Sequence, residues 1–208
     1  SFSIAPYDTA NCSSTITGNA ETYDADAPDD AWTHTMNTLA GLNIINPFTD
    51  IASILSKISG NESLTQDELK AKVLALLGYS DSDDLFTDYS TNSKVALLAQ
   101  AVFDVTIQTL AALGDNYSAA NMEALYEKIL PNVVTAVNEA IELAENNGSS
   151  ISTISISLNL GTLSFNEDGS VDTDTLNATV EAEVIYTDDN VATGATGGTG
   201  AVSSSTGG

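Results

Sequence analysis

Residues 118–160 read SAANMEALYEKILPNVVTAVNEAIELAENNGSSISTISISLNL, and the spacing of their apolar side chains changes at Gly148. Before Gly148 the apolar residues recur every three or four positions, as on one face of an α-helix that Ser118 can cap. After it they alternate with polar residues, at Ile154, Ile156 and Leu158, which is the period of a half-buried β-strand. The segment therefore predicts a helix followed directly by a strand, in a chain of the α+β class.

A second strand is predicted over residues 176–186, where Val180, Ala182 and Val184 alternate with acidic residues. The two strands would form a long hairpin around the turn-rich residues 166–175. A two-stranded hairpin is only marginally stable in water and needs further strands. Strand-like segments remain near the N-terminus, at residues 1–5 and 14–17, so we predict a small antiparallel β-unit formed by the C-terminal hairpin and the N-terminal strands. Its edges would be open and adhesive.

Residues 29–147 have the patterning of amphipathic helices with short connections, which predicts a compact helical bundle. The first helix would carry Trp32, Met36 and Leu39. The helix starts are marked by Asp29 and Asp30, by Asn46 before Pro47, by the capping box Thr65-Gln66-Asp67-Glu68, by Asn92 and by Ser118.

These patterns divide the chain into four parts. They are an N-terminal strand or arm (1–28), the helical bundle (29–147), the β-hairpin (148–189) and a tail rich in Gly, Thr and Ser (190–208). The composition of the tail is typical of a linker or an extended arm.

The charge of the chain excludes two classes of partner. The sequence has 29 acidic and 5 basic residues, a formal net charge of −24, and all five basic residues are lysines. Nucleic-acid binding requires clustered cations, and an anionic membrane surface would repel this chain. Such a surface suits saline or calcium-rich surroundings that screen its self-repulsion, although simple solubility also explains it.

Several features predict an exported protein. The sequence begins at Ser1 rather than Met, and its first 28 residues are polar, which is the expectation for a processed N-terminus. We predict no membrane insertion, because no apolar stretch approaches 18 residues. The single Cys12 cannot form an intrachain disulfide. Five N-x-S/T sequons, a number close to chance, permit attached glycans. The expected location is extracellular or on the cell surface.

The sequence does not predict an enzyme. Its one histidine, His34, has no nucleophile elbow to serve, and one His with one Cys cannot build a usual zinc site. Aromatic residues make up only 6%, whereas sugar-cleaving sites gather aromatic platforms. We therefore expect no catalytic residues and no certain cofactor.

Calcium is the ligand that the acidic clusters favour most, because carboxylates at alternate loop positions can converge on one ion. The predicted calcium ligands fall in two clusters, Asp24, Asp26 and Asp29, and Asp168, Asp172 and Asp174. Neither cluster fits an EF-hand loop, and solvated loops are the alternative interpretation. A third cluster, at residues 81–84, also suits the N-terminus of a helix.

One part of the sequence is similar to a known type of module. Its segments are INPFTDI (45–51), LTQDEL (64–69), LLGY (76–79) and DL (84–85), followed by an Ala-rich helix to Leu113. Together they resemble the helical module, with a "TPLTTL" start and an "ALGL…DL" middle, of large secreted bacterial surface and biofilm proteins. The resemblance covers about residues 40–145, although Asn-Pro-Phe-Thr departs from the usual Thr-Pro-Leu-Thr. It implies an extracellular, surface-associated and non-catalytic protein and supplies no site residues.

Two functions are expected from these observations. The first is a secreted structural subunit of an extracellular filament or surface assembly, in which a neighbouring copy adds a strand from residues 1–17 or 190–208. The second is a calcium-dependent adhesion or binding module of a cell-surface or biofilm-matrix protein, with calcium and glycans as partners.

Overall fold

The computed structural model describes residues 3–4, 13–17, 35–40, 42, 44–79, 83–87, 89 and 92–187. Its strands are β1 (Ser3–Ile4), β2 (Ser13–Thr17), β3 (Thr35–Leu39), β4 (Ser150–Asn159) and β5 (Thr179–Thr187). Its longer helices are α1 (Pro47–Leu55), α2 (Gln66–Leu76), α3 (Ser93–Leu113) and α4 (Ala119–Asn147). The predicted α+β class is therefore confirmed.

The chain forms two compact units. The N-terminal unit comprises Ser1–Leu74 and Ser80–Asp88, and the C-terminal unit comprises Ala75–Tyr79 and Tyr89–Gly208. The predicted bundle does not form a single core, because α1 belongs to the first unit whereas α3 and α4 belong to the second.

The N-terminal strands build a sheet of their own, which corrects the predicted β-unit. The sheet is antiparallel in the order β1-β2-β3, with Ile16 opposite both Ile4 and Met36. The hairpin of β4 and β5 is a separate two-stranded sheet. The N-terminal strands therefore find their third strand at β3 and do not complete the C-terminal hairpin.

Strand β3 replaces the helix that was predicted to carry Met36 and Leu39; Trp32 lies outside the described residues. The segment alternates, since Met36 and Thr38 are buried and Asn37 is half-buried between them. All five residues of β3 pair with β2. The three-residue spacing of Met36 and Leu39 fits one face of a helix, but the pairing with β2 makes the segment a strand in which Met36 and Thr38 share the buried face.

Helix α1 is the centre of the N-terminal unit and begins as predicted. Asn46 accepts the Thr49 backbone N–H (2.9 Å) and donates its own N–H to the Thr49 hydroxyl (2.9 Å), which completes a capping box. The Asn46 amide also donates to the Leu85 carbonyl at 2.9 Å. Every residue from 48 to 55 is buried, so α1 has no solvent face.

The helix starts predicted at Thr65, Asn92 and Ser118 are also confirmed, whereas Asp29 and Asp30 lie outside the described residues. The Thr65 backbone N–H donates to Glu68 Oε2 at 2.7 Å, and the Glu68 backbone N–H donates to the Thr65 hydroxyl oxygen at 3.3 Å. Asn92 and Ser118 cap α3 and α4 with their side chains. Gly148 ends α4 with φ of +65°, a left-handed conformation that favours glycine.

Helices α3 and α4 pack together beneath the hairpin and form the core of the C-terminal unit. Val102, Val105, Leu125 and Ile129 are fully buried between these elements. The Tyr126 hydroxyl lies 3.0 Å from the Thr106 hydroxyl inside this core, which satisfies both groups.

The hairpin forms as predicted around a long ordered connection. Ile154 lies opposite Val184 and Ile156 opposite Ala182, and all four side chains are buried. The register of the two strands shifts between Ile151 and Thr153, near the start of β4.

Residues 93–116, which contain α3, are long and apolar enough to cross a membrane by length and composition alone, since an 18-residue window within them has a mean hydropathy of 1.6. Core helices of soluble proteins meet the same criterion, and 44% of this window is buried inside the molecule. Composition alone therefore does not distinguish a buried helix from a spanning one.

Candidate functional site

Helix α3 covers the outer edge of β4 with three polar side chains. They stand four residues apart and accept hydrogen bonds from alternate backbone N–H groups of the strand. These bonds run from Ile154 N to Gln100 Oε1 (3.2 Å), from Ile156 N to Asp104 Oδ2 (2.9 Å) and from Leu158 N to Gln108 Oε1 (2.8 Å). Gln108 Nε2 also donates to the Ile156 carbonyl at 2.6 Å. We call Gln100, Asp104 and Gln108 the α3 ladder.

The α3 ladder works because a helix and a strand can share one spacing. Four residues of α-helix advance by about 6 Å, and two residues of a strand advance by about 6.6 Å. Side chains at every fourth helical position therefore meet every second strand N–H over a short length. The ladder takes the place of a neighbouring strand, so this edge of β4 is closed.

The sequence contains a signal for the ladder that the sequence analysis missed. Gln100 and Asp104 interrupt the most apolar stretch of the chain, and Gln108 continues the same spacing. Polar residues at every fourth position of an apolar helix form a stripe along one face. The stripe indicates a polar helix face, and the packing of that face against β4 identifies its partners.

The outer edge of β5 has no strand beside it in the part of the chain that the structure describes. Because Ile154, Ile156 and Leu158 direct their N–H groups toward α3, they form non-hydrogen-bonded pairs with β5. Their opposite residues, Val184, Ala182 and Val180, therefore direct their backbone N–H and C=O groups away from β4. Within the described residues, β4 is the only strand that pairs with β5.

An apolar groove of about 250 Å³ lies between α4 and β5. Its lining residues are Ala136, Glu139, Ala140 and Leu143 from α4, and Ala182, Val184 and Tyr186 from β5. Leu143 is 37% exposed there. The Tyr186 hydroxyl is buried without a hydrogen-bond partner among the described residues. An open strand edge beside an apolar groove is suited to receive an extended polypeptide segment.

The predicted calcium ligands of the second cluster are not gathered around a common point. Asp168 Oδ1 accepts hydrogen bonds from the Ser170 N–H (3.0 Å) and hydroxyl (2.6 Å). Asp172 accepts from the Asp174 N–H (3.1 Å) and the Thr175 hydroxyl (3.0 Å). No group of three acidic, His or Cys side chains converges in the described part of the chain. The carboxylates of Asp168 and Asp172 instead each close their own turn.

The remaining predicted residues lie outside the described residues. They are the calcium ligands Asp24, Asp26 and Asp29, together with Cys12 and His34. Calcium binding at the first cluster therefore stays a prediction.

Acid should loosen the turn at Asp168. The Ser170 hydroxyl, followed by its backbone N–H, stabilises the ionised carboxylate and lowers the pKa of Asp168 below its ordinary value. The contribution to stability is therefore present above the unfolded-state pKa and is lost as the pH falls through the lowered folded-state pKa. Ser170→Ala should raise the pKa of Asp168 toward its ordinary value in an NMR titration, and Ser170→Thr should not. An unchanged pKa in Ser170→Ala would contradict this assignment.

Comparison of the chain with protein-family models, with curated proteins and with solved structures finds no match. The resemblance of residues 40–145 to a helical module of secreted surface proteins therefore stays a prediction.

Proposed function

We propose that this chain is a structural subunit of an extracellular filament or surface assembly, in which β5 of one copy accepts an extended segment of another copy as an added strand. The observation that supports this proposal is the difference between the two edges of the hairpin. Helix α3 closes the edge of β4 through Gln100, Asp104 and Gln108. The edge of β5 directs three sets of backbone groups outward with no strand beside them in the described residues.

One open edge has a consequence for assembly geometry. A subunit that accepts a strand at one place and donates a strand from another makes head-to-tail contacts. Such contacts build a filament unless their rotation closes a ring. An open edge at both β4 and β5 would instead permit branched, irregular aggregation.

Ala182→Pro should abolish this association. The Ala182 N–H is directed away from β4, so proline removes an acceptor-edge hydrogen bond without breaking a bond inside the hairpin. We expect sedimentation velocity to show monomers where the unchanged chain forms larger species, and electron microscopy to show no filaments. Ala182→Ser is the matched control, because it retains the N–H and should associate like the unchanged chain.

Salt and chelator separate this proposal from a calcium-dependent module. The net charge of −24 opposes self-association, so added NaCl should promote it by screening. Association through β5 should be indifferent to a calcium chelator. The proposal fails if the unchanged chain stays monomeric at every salt concentration, or if Ala182→Pro associates normally.

A further inference from the structure

We infer that the segment added to β5 is the charge-free residues 190–208 of a second copy, whose small side chains pack into the groove between α4 and β5. This inference rests on the proposed function and names the donor. The other candidate arm, residues 1–17, is already in use, because β1 and β2 pair with each other and β2 pairs along its whole length with β3.

Charge favours residues 190–208 as the donor. In a chain with 29 acidic residues, positions 190–208 contain no charged side chain. The acceptor is acidic, since Glu181 and Glu183 are exposed on β5 and Glu139 lines the groove. A donor that carried carboxylates would be repelled by these residues in a partly desolvated contact. An uncharged segment avoids that repulsion.

The size of the groove favours the same segment. Three of its lining residues are the alanines Ala136, Ala140 and Ala182, which leave a shallow space of about 250 Å³. An incoming strand can approach α4 closely only if the side chains on its inner face are small. Residues 190–208 consist of Gly, Ala, Thr, Ser and Val apart from Asn190. Their threonine and serine hydroxyls also provide partners for the buried Tyr186 hydroxyl, which lacks one among the described residues.

A second copy suits the groove better than the tail of the same chain. A tight hairpin between β5 and the tail of its own chain would turn just after Thr187. That reversal would place Asp188 and Asp189 at the end of a groove that Glu139 lines. Like charges close together oppose this conformation. The tail of a second copy can bind in a register that keeps its aspartates away from Glu139.

A mixing experiment with two full-length variants tests the inference. Ala182→Pro blocks the acceptor edge of β5 and keeps the donor segment 190–208 intact. The double variant Thr193→Asp, Ala195→Asp adds charge to the donor segment and keeps the acceptor edge intact. Each variant alone should be monomeric by sedimentation velocity. Mixed in equal amounts, the two variants should form a 1:1 heterodimer and no filament. Of the four possible pairings of a donor tail with an acceptor edge, only the tail of Ala182→Pro with the β5 edge of the double variant remains functional.

Further outcomes separate failure of this inference from failure of the proposed function. The control Thr9→Asp, Ala10→Asp adds the same charge to the other arm and should associate like the unchanged chain. If this control is monomeric while the tail variant still associates, the donor is residues 1–17 and only the inference falls. If the unchanged chain associates but the mixture stays monomeric, strand donation by a neighbouring tail is overturned. A monomeric unchanged chain at all salt concentrations overturns the proposed function itself.

A pair of groove variants provides a second measurement. Leu143→Glu places a charge in the groove, and Ile185→Glu places the same charge on the opposite, outer face of β5, where Ile185 is 54% exposed. We expect Leu143→Glu to weaken association by about tenfold or more, because the buried carboxylate would be unpaired, and Ile185→Glu to change it little. Equal effects of the two variants would show that the groove is not the contact.

Discussion

Replacing Gln100, Asp104 and Gln108 together by leucine should lower the free energy of unfolding by at least about 3 kcal/mol, since each buried N–H left without a partner costs about 1–3 kcal/mol. The three substitutions remove the acceptors of Ile154, Ile156 and Leu158 and one donor to the Ile156 carbonyl. Leucine retains high helix propensity, so α3 itself should remain intact. Urea denaturation followed by circular dichroism measures the loss.

The control for this experiment is Asp104→Asn, which retains an oxygen that can accept the Ile156 N–H. It should unfold close to the unchanged chain. The triple leucine variant should also aggregate more readily, because the edge of β4 is then open as well as that of β5. A triple variant as stable as the unchanged chain would show that water satisfies these backbone groups and that the ladder contributes nothing to stability.

Phe48→Ala should lower the free energy of unfolding by about 3–5 kcal/mol, the usual cost of truncating a fully buried phenylalanine. Phe48 is 0% exposed, and it belongs to a helix whose residues 48–55 are all buried. No solvent face is available toward which α1 could move to fill the cavity. The loss should therefore lie in the upper part of that range.

Two comparisons make this prediction specific. Phe48→Leu should cost less, because it retains most of the buried apolar volume. Lys57→Ala, at an exposed position just after α1, should change stability by only about 0.5 kcal/mol or less. Urea denaturation of the three variants gives the order. A small effect of Phe48→Ala would mean that α1 is not the centre of its unit.

Local signals predicted the helix boundaries well. Asn46, Thr65, Asn92 and Ser118 each begin a helix, because each cap is a bond between a side chain and a backbone N–H three residues away. The alternating pattern also predicted the hairpin, since its two strands are joined by one loop and share one buried face. Both features depend on residues near one another in the chain.

The errors arose where distant segments compete for the same residues. Met36 and Leu39 have a spacing that fits a helix, but β2 offers a pairing partner across a long connection, and the segment is strand β3. The predicted partner of the N-terminal strands was wrong for the same reason, because the sequence pattern does not specify that β2 pairs with β3 rather than with the hairpin. Pattern alone does not specify which strands meet.

The amino-acid sequence by itself determined the α+β class, the helix starts at Asn46, Thr65, Asn92 and Ser118, and the hairpin. It also determined the acidic character of the chain and its uncharged segment 190–208, because all of these depend on short-range periodicity and composition. Only the tertiary structure decided which edge of the hairpin is open. The stripe Gln100, Asp104 and Gln108 is visible in the sequence, but its meaning depends on α3 lying beside β4, at a distance of about 50 residues along the chain. The hydrogen bonds of that contact close the edge of β4, and in the described residues β5 has no second strand beside it.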